Sequence, residues 1–334
     1  MSAPSILEAS ELRAVSAVPA AAATIVFVHL GPELPGWIGT VLQQVRAFNS
    51  GAVLLLAEAA ALAQGAIPSS LGITQVSLED LGLSDRQRVF REISPLDRNF
   101  RSGFWTFTSE RFFVLECAMR RLSLRQVVHL ENDVMLYCCM DRLAASLAQL
   151  YRGMAATFDN DMRCVPGILY VPDVSAIEAL TDFYLYVLRR VGASPAAAAL
   201  NDMQVLGALR GRGPAVIDHL PIVPADYPNP LRSAVGHVAA DPSRYWQHFE
   251  ALHMIFDAAA LGQYLGGIDP RNAPGPSVGF VNESCIFDPR ILRPRMTSDA
   301  DGRRVPVVET VSGLHRVANL HIHSKNPAPF LSTP

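Results

Sequence analysis

The chain has 334 residues, of which 50% are hydrophobic and 18% charged, and its formal net charge is −3. That length is enough for one large α/β domain or two smaller ones, while the near-neutral charge and the scattered basic residues argue against nucleic acid as a partner. The five cysteines lack Cys-x-x-Cys spacing, so we expect neither a disulfide framework nor a thiolate zinc site. A reducing, cytoplasmic location fits best, with peripheral attachment to a membrane left open.

The first apolar stretch, AVPAAAATIVFVHL at 17–30, contains the first predicted strand, 24–30. It lacks a preceding basic region and is too short to cross a membrane, so we expect neither a signal peptide nor a transmembrane helix. The turn-rich segment GPELPG follows, then residues 37–48 have helical spacing and residues 52–57 form a second buried strand. Strand, helix and strand in this order predict a βαβ unit.

The same alternation continues along the chain. We predict helices at 106–122, 142–152 and 176–191 and strands at 125–130, 154–158 and 167–171. Asp141 is the expected cap of the second of these helices, Ser175 and Glu178 form a predicted capping box for the third, and Gly192 ends it. The pattern predicts an α/β fold with a mainly parallel sheet flanked by helices over residues 20–210. Residues 211–334 are rich in Pro and Gly and are predicted to form a loop-rich binding region of one continuous globular domain.

The segment HLENDVMLY, residues 129–137, places a polar cluster directly after the predicted strand 125–130. In extended geometry Glu131 and Asp133 point to one side and Asn132 to the other. Ligands of open α/β sheets bind beyond the carboxyl ends of the strands, and two carboxylates that converge there suit Mg²⁺ or Mn²⁺. The plainer alternative is a solvated turn that caps a helix.

A second cluster, VANLHIHSKN at 317–326, has the pattern of a strand followed by a lysine. His321 and His323 fall on the face opposite Ile322; imidazole is a ligand for Mn²⁺, and Lys325 is a point charge suited to a phosphate. Along a strand the two histidines stand about 6.6 Å apart, so one of them should be the ligand, and its place near the strand end favours His323. An edge strand with two half-exposed histidines is the alternative.

These motifs together resemble those of glycosyltransferases with the GT-A fold. HLENDVMLY is similar to their Asp-x-Asp motif, and LHIHSK resembles their C-terminal histidine, which completes the metal site, with a lysine at the diphosphate. FWTFTSERFF looks like the helix that carries a nucleotide-contacting arginine, here Arg111. GILYV and LNDMQVLGALRG resemble a strand of the family and the Asp-Gln-Asp-type segment of glycogenin-like and lipopolysaccharide galactosyltransferases.

The resemblance covers most of residues 24–326 and implies a Rossmann-like GT-A sheet with a C-terminal acceptor region. It implies a Mn²⁺ or Mg²⁺ ion and transfer of a sugar from a nucleotide diphosphate sugar, with a UDP-sugar as the expected donor, to a hydroxyl of a glycan, a lipid-linked or a small-molecule acceptor. The implied metal ligands are Glu131, Asp133, His321 and His323; the implied donor contacts are Arg111, Glu131, Asn132 and Lys325.

Two departures from the family pattern affect these assignments. A Glu stands at the first acid of the motif, so Asp133 is a firmer ligand than Glu131. Gln204 stands where the family has its second Asp in the later segment, which puts a catalytic role of Asp202 in question; a helix cap at Asn201 or Asp202 is the alternative there.

The loop-rich region is expected to hold the acceptor. Asp269, Asn282 and Glu283 offer polar contacts, and Trp246 and Tyr264 offer surfaces on which a sugar ring can stack. An inverting transferase needs a carboxylate as general base, for which Glu283 and Asp226 are candidates.

Two other functions compete with this one. A nucleotidyltransferase on a related sheet carries a Gly-rich loop with a basic residue after its first strand, and HLGPELPGW contains no Lys or Arg. A non-catalytic binding module would have lost the candidate ligands, which are all present. A P-loop or dinucleotide-binding enzyme is excluded because neither glycine motif follows a strand.

Overall fold

The computed structural model describes residues 22–65, 67–97, 99–192, 194, 200–272 and 278–332. The start of the first apolar stretch, residues 17–21, and part of a predicted acceptor loop, residues 273–277, lie outside these ranges. Among the described residues, no helix is both long enough and apolar enough to cross a membrane.

The strands of the described residues are short and mostly buried. They are β1 (Thr24–Val28), β2 (Val53–Ala57), β3 (Thr74–Ser77), β4 (Val127–Leu130), β5 (Val134–Leu136), β6 (Met154–Asn160), β7 (Arg163–Val171), β8 (Ile217–His219), β9 (Met254–Ile255), β10 (Arg295–Ser298), β11 (Arg304–Thr310), β12 (Gly313–Val317) and β13 (Asn319–His321).

Seven strands form one sheet in the order β3-β2-β1-β4-β7-β6-β8. β1 pairs in parallel with β2 and β4, β2 with β3, and β6 with β8, whereas β7 runs antiparallel to its two neighbours β4 and β6. Every residue of β1 and β2 is buried, as expected for strands that helices cover on both faces. The predicted α/β class, with a mainly parallel sheet flanked by helices, is confirmed.

The helices of the same residues are α1 (Ile38–Phe48), α2 (Ala59–Gln64), α3 (Leu78–Leu81), α4 (Asp85–Ile93), α5 (Phe104–Arg121), α6 (Met140–Leu150), α7 (Val174–Val191), α8 (Asp202–Leu209), α9 (Phe249–Leu252) and α10 (Leu261–Gly266). α5 packs against β1 and α7, and α8 packs against β7.

Two predicted helix caps are wrong, while one helix end is confirmed. The carboxylate of Asp173 accepts the amide of Ala176 at 3.0 Å, so the N-cap of α7 is Asp173 and not Ser175 of the predicted capping box. Asp141 lies inside the first turn of α6 and is not its cap. Gly192 ends α7 as predicted, with a φ of 51° that favours glycine.

The C-terminal part adds a second sheet in the order β10-β11-β12-β9. The strand predicted around Val317, Leu320 and Ile322 is split, because β12 ends at Val317 and β13 then pairs antiparallel with β5. This pairing sets Leu320 opposite Met135 and His321 opposite Val134. The last strand of the chain therefore lies beside the segment that follows β4.

Candidate active site

The acidic segment 131–133 is a tight connection between β4 and β5. The amide of Glu131 donates to Gly167 O of β7 at 3.0 Å, and the amide of Val134 donates back to Glu131 O at 3.0 Å. The backbone of Ile322 donates to Asp133 O at 2.9 Å, so the C-terminal segment is held against the same turn. The cluster lies at the carboxyl end of β4, where the sequence predicted it.

His321 is the histidine that faces the two acids. Its Nε2 lies 3.2 Å from Asp133 Oδ2 and 3.3 Å from Glu131 Oε2. Each of these three residues offers one ligand atom, and the three atoms lie within 4.8 Å of one another. Three donor atoms at this spacing could hold a metal ion. Two segments nearly 190 residues apart in the sequence thus meet at one point.

His323, which the sequence favoured as the ligand, has different surroundings. Its Nδ1 accepts the amide of Asp269 at 3.2 Å, and its ring centroid is 6.1 Å from that of His321. A strand through both residues was expected, but β13 ends at His321 and the amide of His323 donates to His321 O at 3.0 Å. The alternation of side chains along β13 therefore ends at His321, so it does not place the rings of His321 and His323 on one face.

Lys325 brings its ammonium group to the same cluster and contacts Asp133 Oδ2. It is the only lysine in a sequence with 28 basic residues of the Lys and Arg type. Its backbone is left-handed, with a φ of 62°, in a turn closed by a bond from its amide to Ile322 O at 3.0 Å. At this one position the sequence has a compact, flexible ammonium group where its other strongly basic side chains are arginines, which is a signal the sequence already carried.

Arg111, the nucleotide contact implied by the resemblance, is buried and only 8% exposed. Its Nη2 lies 2.5 Å from Glu131 Oε1 and 2.8 Å from Asp202 Oδ2. Asn201, whose Oδ1 accepts the amide of Gln204 at 3.0 Å, is the N-cap of α8, which leaves the carboxylate of Asp202 to pair with Arg111. Arg111 therefore links the acidic turn to α8.

The charges in this cluster shift one another's pKa values. Burial acts to raise the pKa of both acids, but His321 and Lys325 hold the pKa of Asp133 well below its usual range, and Arg111 and His321 lower that of Glu131. Burial acts to lower the pKa of His321, whereas Asp133 and Glu131 outweigh it and raise that pKa to about 9. The imidazole is therefore protonated at neutral pH and has to release its proton to become a metal ligand.

Asp202 differs from the two acids of the turn. Burial is the largest influence on its carboxyl and outweighs the nearby Arg111, so its pKa is raised to about 6. It can gain a proton near neutral pH, which Asp133 cannot.

Asp257 and Gly262 position His321, and the sequence analysis missed both. Asp257 Oδ2 accepts the amides of His321 at 3.0 Å and of Gly262 at 2.8 Å, while Oδ1 accepts those of Ala260 and Leu261 at 2.8 Å each. A Cβ atom on Gly262 would stand 2.2 Å from His321 O, so only glycine permits this approach of α10 to β13. An Asp shortly before a helical segment was the available signal, as an N-cap pattern.

A cavity of about 230 Å³ opens beside the N-terminal turns of α5. It is lined by Arg91, Gly103, Thr106, Phe107 and Glu110. Thr106 is 4% exposed, and its hydroxyl has no hydrogen-bond partner among the described residues.

Asn132 faces the end of β1, away from the two acids. Its Nδ2 lies 3.3 Å from His29 Nδ1, and its carbonyl oxygen accepts Trp37 Nε1 at 2.9 Å. Within the described part of the chain, its Oδ1 and the Nε2 of His29 have no partner, although both are buried. Unsatisfied polar atoms of this kind are available to a ligand.

The predicted acceptor residues occupy several different settings. Asp269 pairs with Arg271 at 2.5 Å and reaches the cluster through its backbone contact to His323. Asp226 accepts Thr310 Oγ1 at 2.7 Å and the amide of Ser312 at 3.0 Å, so it holds the turn between β11 and β12. The remaining predicted residues are an exposed Glu283, a half-buried Trp246, Asn282 bonded to Ser284, and Tyr264, whose carbonyl accepts the amide of Gly279.

Comparison with known proteins gives structural similarities only. The sequence matches no protein-family model and no curated protein. Mouse xyloside xylosyltransferase 1 is similar at 10% identity over 59% of this chain and 84% of that chain, with a TM-score of 0.43. The galactosyltransferase LgtC, solved with donor and acceptor sugar analogs, is similar at 13% identity over 59% of this chain and 73% of that chain, with a TM-score of 0.36. A cytidylyltransferase from Leptospira borgpetersenii is similar at 11% identity over 55% of this chain and 77% of that chain, with a TM-score of 0.28.

Glycosyltransferases are thus among the solved structures that this chain resembles, as its motifs predicted.

Proposed function

We propose that the protein is a metal-dependent glycosyltransferase that moves a sugar from a nucleoside diphosphate sugar, with UDP-sugars as the first candidates, to a hydroxyl acceptor. The observation that supports this most is the convergence of Glu131, Asp133 and His321, from two remote segments, at the carboxyl end of β4. An ammonium group and a guanidinium group adjoin the same acids. Carboxylates for a cation and cations for phosphates, side by side, suit a metal-bound diphosphate.

The donor atoms fit a divalent ion. Two carboxylate oxygens and one imidazole nitrogen form a ligand set that suits Mn²⁺, whereas Mg²⁺ would be coordinated mainly by the two carboxylates. Glu131, Asp133 and His321 would hold the ion, and His323 would orient the loop that carries Asp269. When bound, the ion would offset the negative charge that develops on the departing diphosphate.

The chain's own groups have distinct proposed roles. Lys325 would bind the diphosphate, and Arg111 would hold Glu131 in place while its own position is fixed by Asp202. Asn132 and His29 would contact the nucleoside, because their partnerless atoms lie at the end of β1. Glu283 remains our proposal for the general base, since its exposed carboxylate is free to approach an acceptor hydroxyl.

A nucleotidyltransferase is the second candidate, and a cytidylyltransferase is among the similar structures. It is disfavoured because the segment after β1, residues 29–37, contains no Lys or Arg that would bind a triphosphate. Release of pyrophosphate from a nucleoside triphosphate and a sugar phosphate would identify that activity. A non-catalytic binding module would bind the nucleotide sugar and would turn over neither the nucleotide sugar nor a nucleoside triphosphate.

The test is a screen of nucleotide sugars for slow hydrolysis with and without Mn²⁺, combined with calorimetry of UDP binding. We expect Mn²⁺-dependent release of UDP from one donor by the wild type and its loss in Asp133→Asn. Asp173→Asn is the matched control, because it makes the same change at a helix cap where Asn serves equally well. Wild-type Mn²⁺ dependence in Asp133→Asn would refute the site, and turnover of no donor would refute the activity.

A further inference from the structure

Both acids of the candidate metal site are already paired with cations of the chain itself. Asp133 Oδ2 contacts the ammonium of Lys325 and lies 3.2 Å from His321 Nε2. Glu131 Oε1 lies 2.5 Å from Arg111, and its Oε2 lies 3.3 Å from the same imidazole. A divalent ion that entered the site would find the carboxylate oxygens that it needs already paired with positively charged side chains.

These cations are not equally movable. Arg111 is buried and fixed by two carboxylates. The backbone of His321 is fixed as well, because its amide donates to the carboxylate of Asp257. The side chain of Lys325 is 24% exposed, and it has four flexible carbons and a charge that needs no fixed geometry. Lys325 is therefore the cation that can leave its acid without rearrangement of the backbone.

We propose that Lys325 makes the site selective for a metal ion that arrives with a diphosphate over the free metal ion, an inference that rests on the proposed function. Without a diphosphate, the ammonium and the metal ion compete for Asp133 Oδ2, and metal binding is weak. The phosphate oxygens of the donor give the ammonium a second anion to pair with. Lys325 then leaves Asp133 to the metal ion and binds the phosphate.

This competition couples the two ligands thermodynamically. If a diphosphate tightens metal binding by some factor, the metal tightens diphosphate binding by the same factor. A lysine that served only as a phosphate contact would strengthen UDP binding but leave the affinity for free Mn²⁺ unchanged. The sign of the effect on free Mn²⁺ therefore separates the two roles.

The experiment measures Mn²⁺ affinity by calorimetry, with and without UDP, in the wild type and in Lys325→Met. In the wild type we expect UDP to tighten Mn²⁺ binding by about tenfold or more. In Lys325→Met, free Mn²⁺ should bind about tenfold more tightly than in the wild type, and the effect of UDP should shrink correspondingly. Lys325→Arg keeps a cation at this position and should keep weak binding of free Mn²⁺.

Arg88→Met is the control for net charge, since it removes an exposed cation whose partners, within the described residues, are Asp85 and the carbonyl oxygen of Leu83. It should behave as the wild type does. Unchanged or weaker binding of free Mn²⁺ by Lys325→Met, in a protein whose wild type binds Mn²⁺ with UDP, overturns the selectivity role and leaves the proposed function intact. Absence of Mn²⁺ binding with UDP in both proteins overturns both proposals.

Discussion

Replacing Gly262 with alanine tests whether the close approach of α10 to β13 is what positions His321. The new Cβ would stand 2.2 Å from His321 O, 2.7 Å from its carbonyl carbon and 2.8 Å from its amide nitrogen. All three are backbone atoms, so no side chain can turn aside, and the two segments have to separate by about 1.2 Å to reach the 3.4 Å of ordinary contact. That movement stretches the hydrogen bonds from the amides of Gly262 and His321 to the buried carboxylate of Asp257. We expect overpacking and poorly satisfied hydrogen bonds to lower the free energy of unfolding by about 2–5 kcal/mol.

The functional readout is Mn²⁺ affinity in the presence of UDP, measured at a temperature where the variant is folded. Displacement of His321 from the two acids should weaken it by about tenfold or more, the size of effect seen when ligand orientation is lost. Gly39→Ala is the control: apart from its own helix backbone and chain neighbours, no described residue has an atom within 4 Å of a Cβ there, and alanine in helix α1 should raise stability by about 0.5–1 kcal/mol. Full Mn²⁺ affinity in Gly262→Ala would refute the idea that this contact sets the position of His321.

Three further predictions concern other groups of the same chain. Arg111→Ala removes the cation between Glu131 and Asp202 and should cost about 3–5 kcal/mol in urea unfolding as well as raise the donor KM; a cost below about 1 kcal/mol would contradict the pairing. His219 is fully buried, its ring nitrogens have no partner among the described residues, and burial with two nearby arginines lowers its pKa to about 3. Since the unfolded chain protonates this histidine below about pH 6.5, stability should fall on acidification toward pH 3 by up to about 1.4 kcal/mol per pH unit, and His219→Phe should remove that share of the slope; an unchanged pH profile would refute this. Reductive methylation should modify Lys325 as the only side-chain amine, with UDP and Mn²⁺ slowing the reaction several-fold as seen by mass spectrometry; an equal rate would place it away from the diphosphate.

The elements that the sequence predicted well are those whose periodicity reflects burial. β1 and β2 are continuous apolar runs, and both are buried along their whole length. α5 and α7 carry long apolar faces that pack against one another. The helical spacing of these apolar residues could therefore be recognised in the sequence. The short elements α2, α3 and β3 and the second sheet were missed, because segments of a few residues with mixed polarity have no readable period.

Helix caps were less predictable than helices. Ser175 and Glu178 fit a capping box, but Asp173 lies two residues earlier and offers a carboxylate to the same first turn. Several residues near a helix start satisfy the same local chemistry, and packing of the helix decides which one is used.

The candidate site combines features of both kinds. The residue types, two carboxylates after a buried strand and histidines with a lysine near the C-terminal end, were sufficient to predict a metal and a phosphate ligand, because the chemistry of each side chain is fixed by its identity. Which histidine faces the acids was not predictable, because it depends on β13 ending at His321. That end is set by pairing with β5, by the carboxylate of Asp257 and by the missing side chain of Gly262, which come from two separate parts of the chain, around β5 and at 257–262. The sequence by itself determined which groups were available, and the tertiary structure decided which of them meet, because contacts between remote segments depend on how whole strands and helices pack.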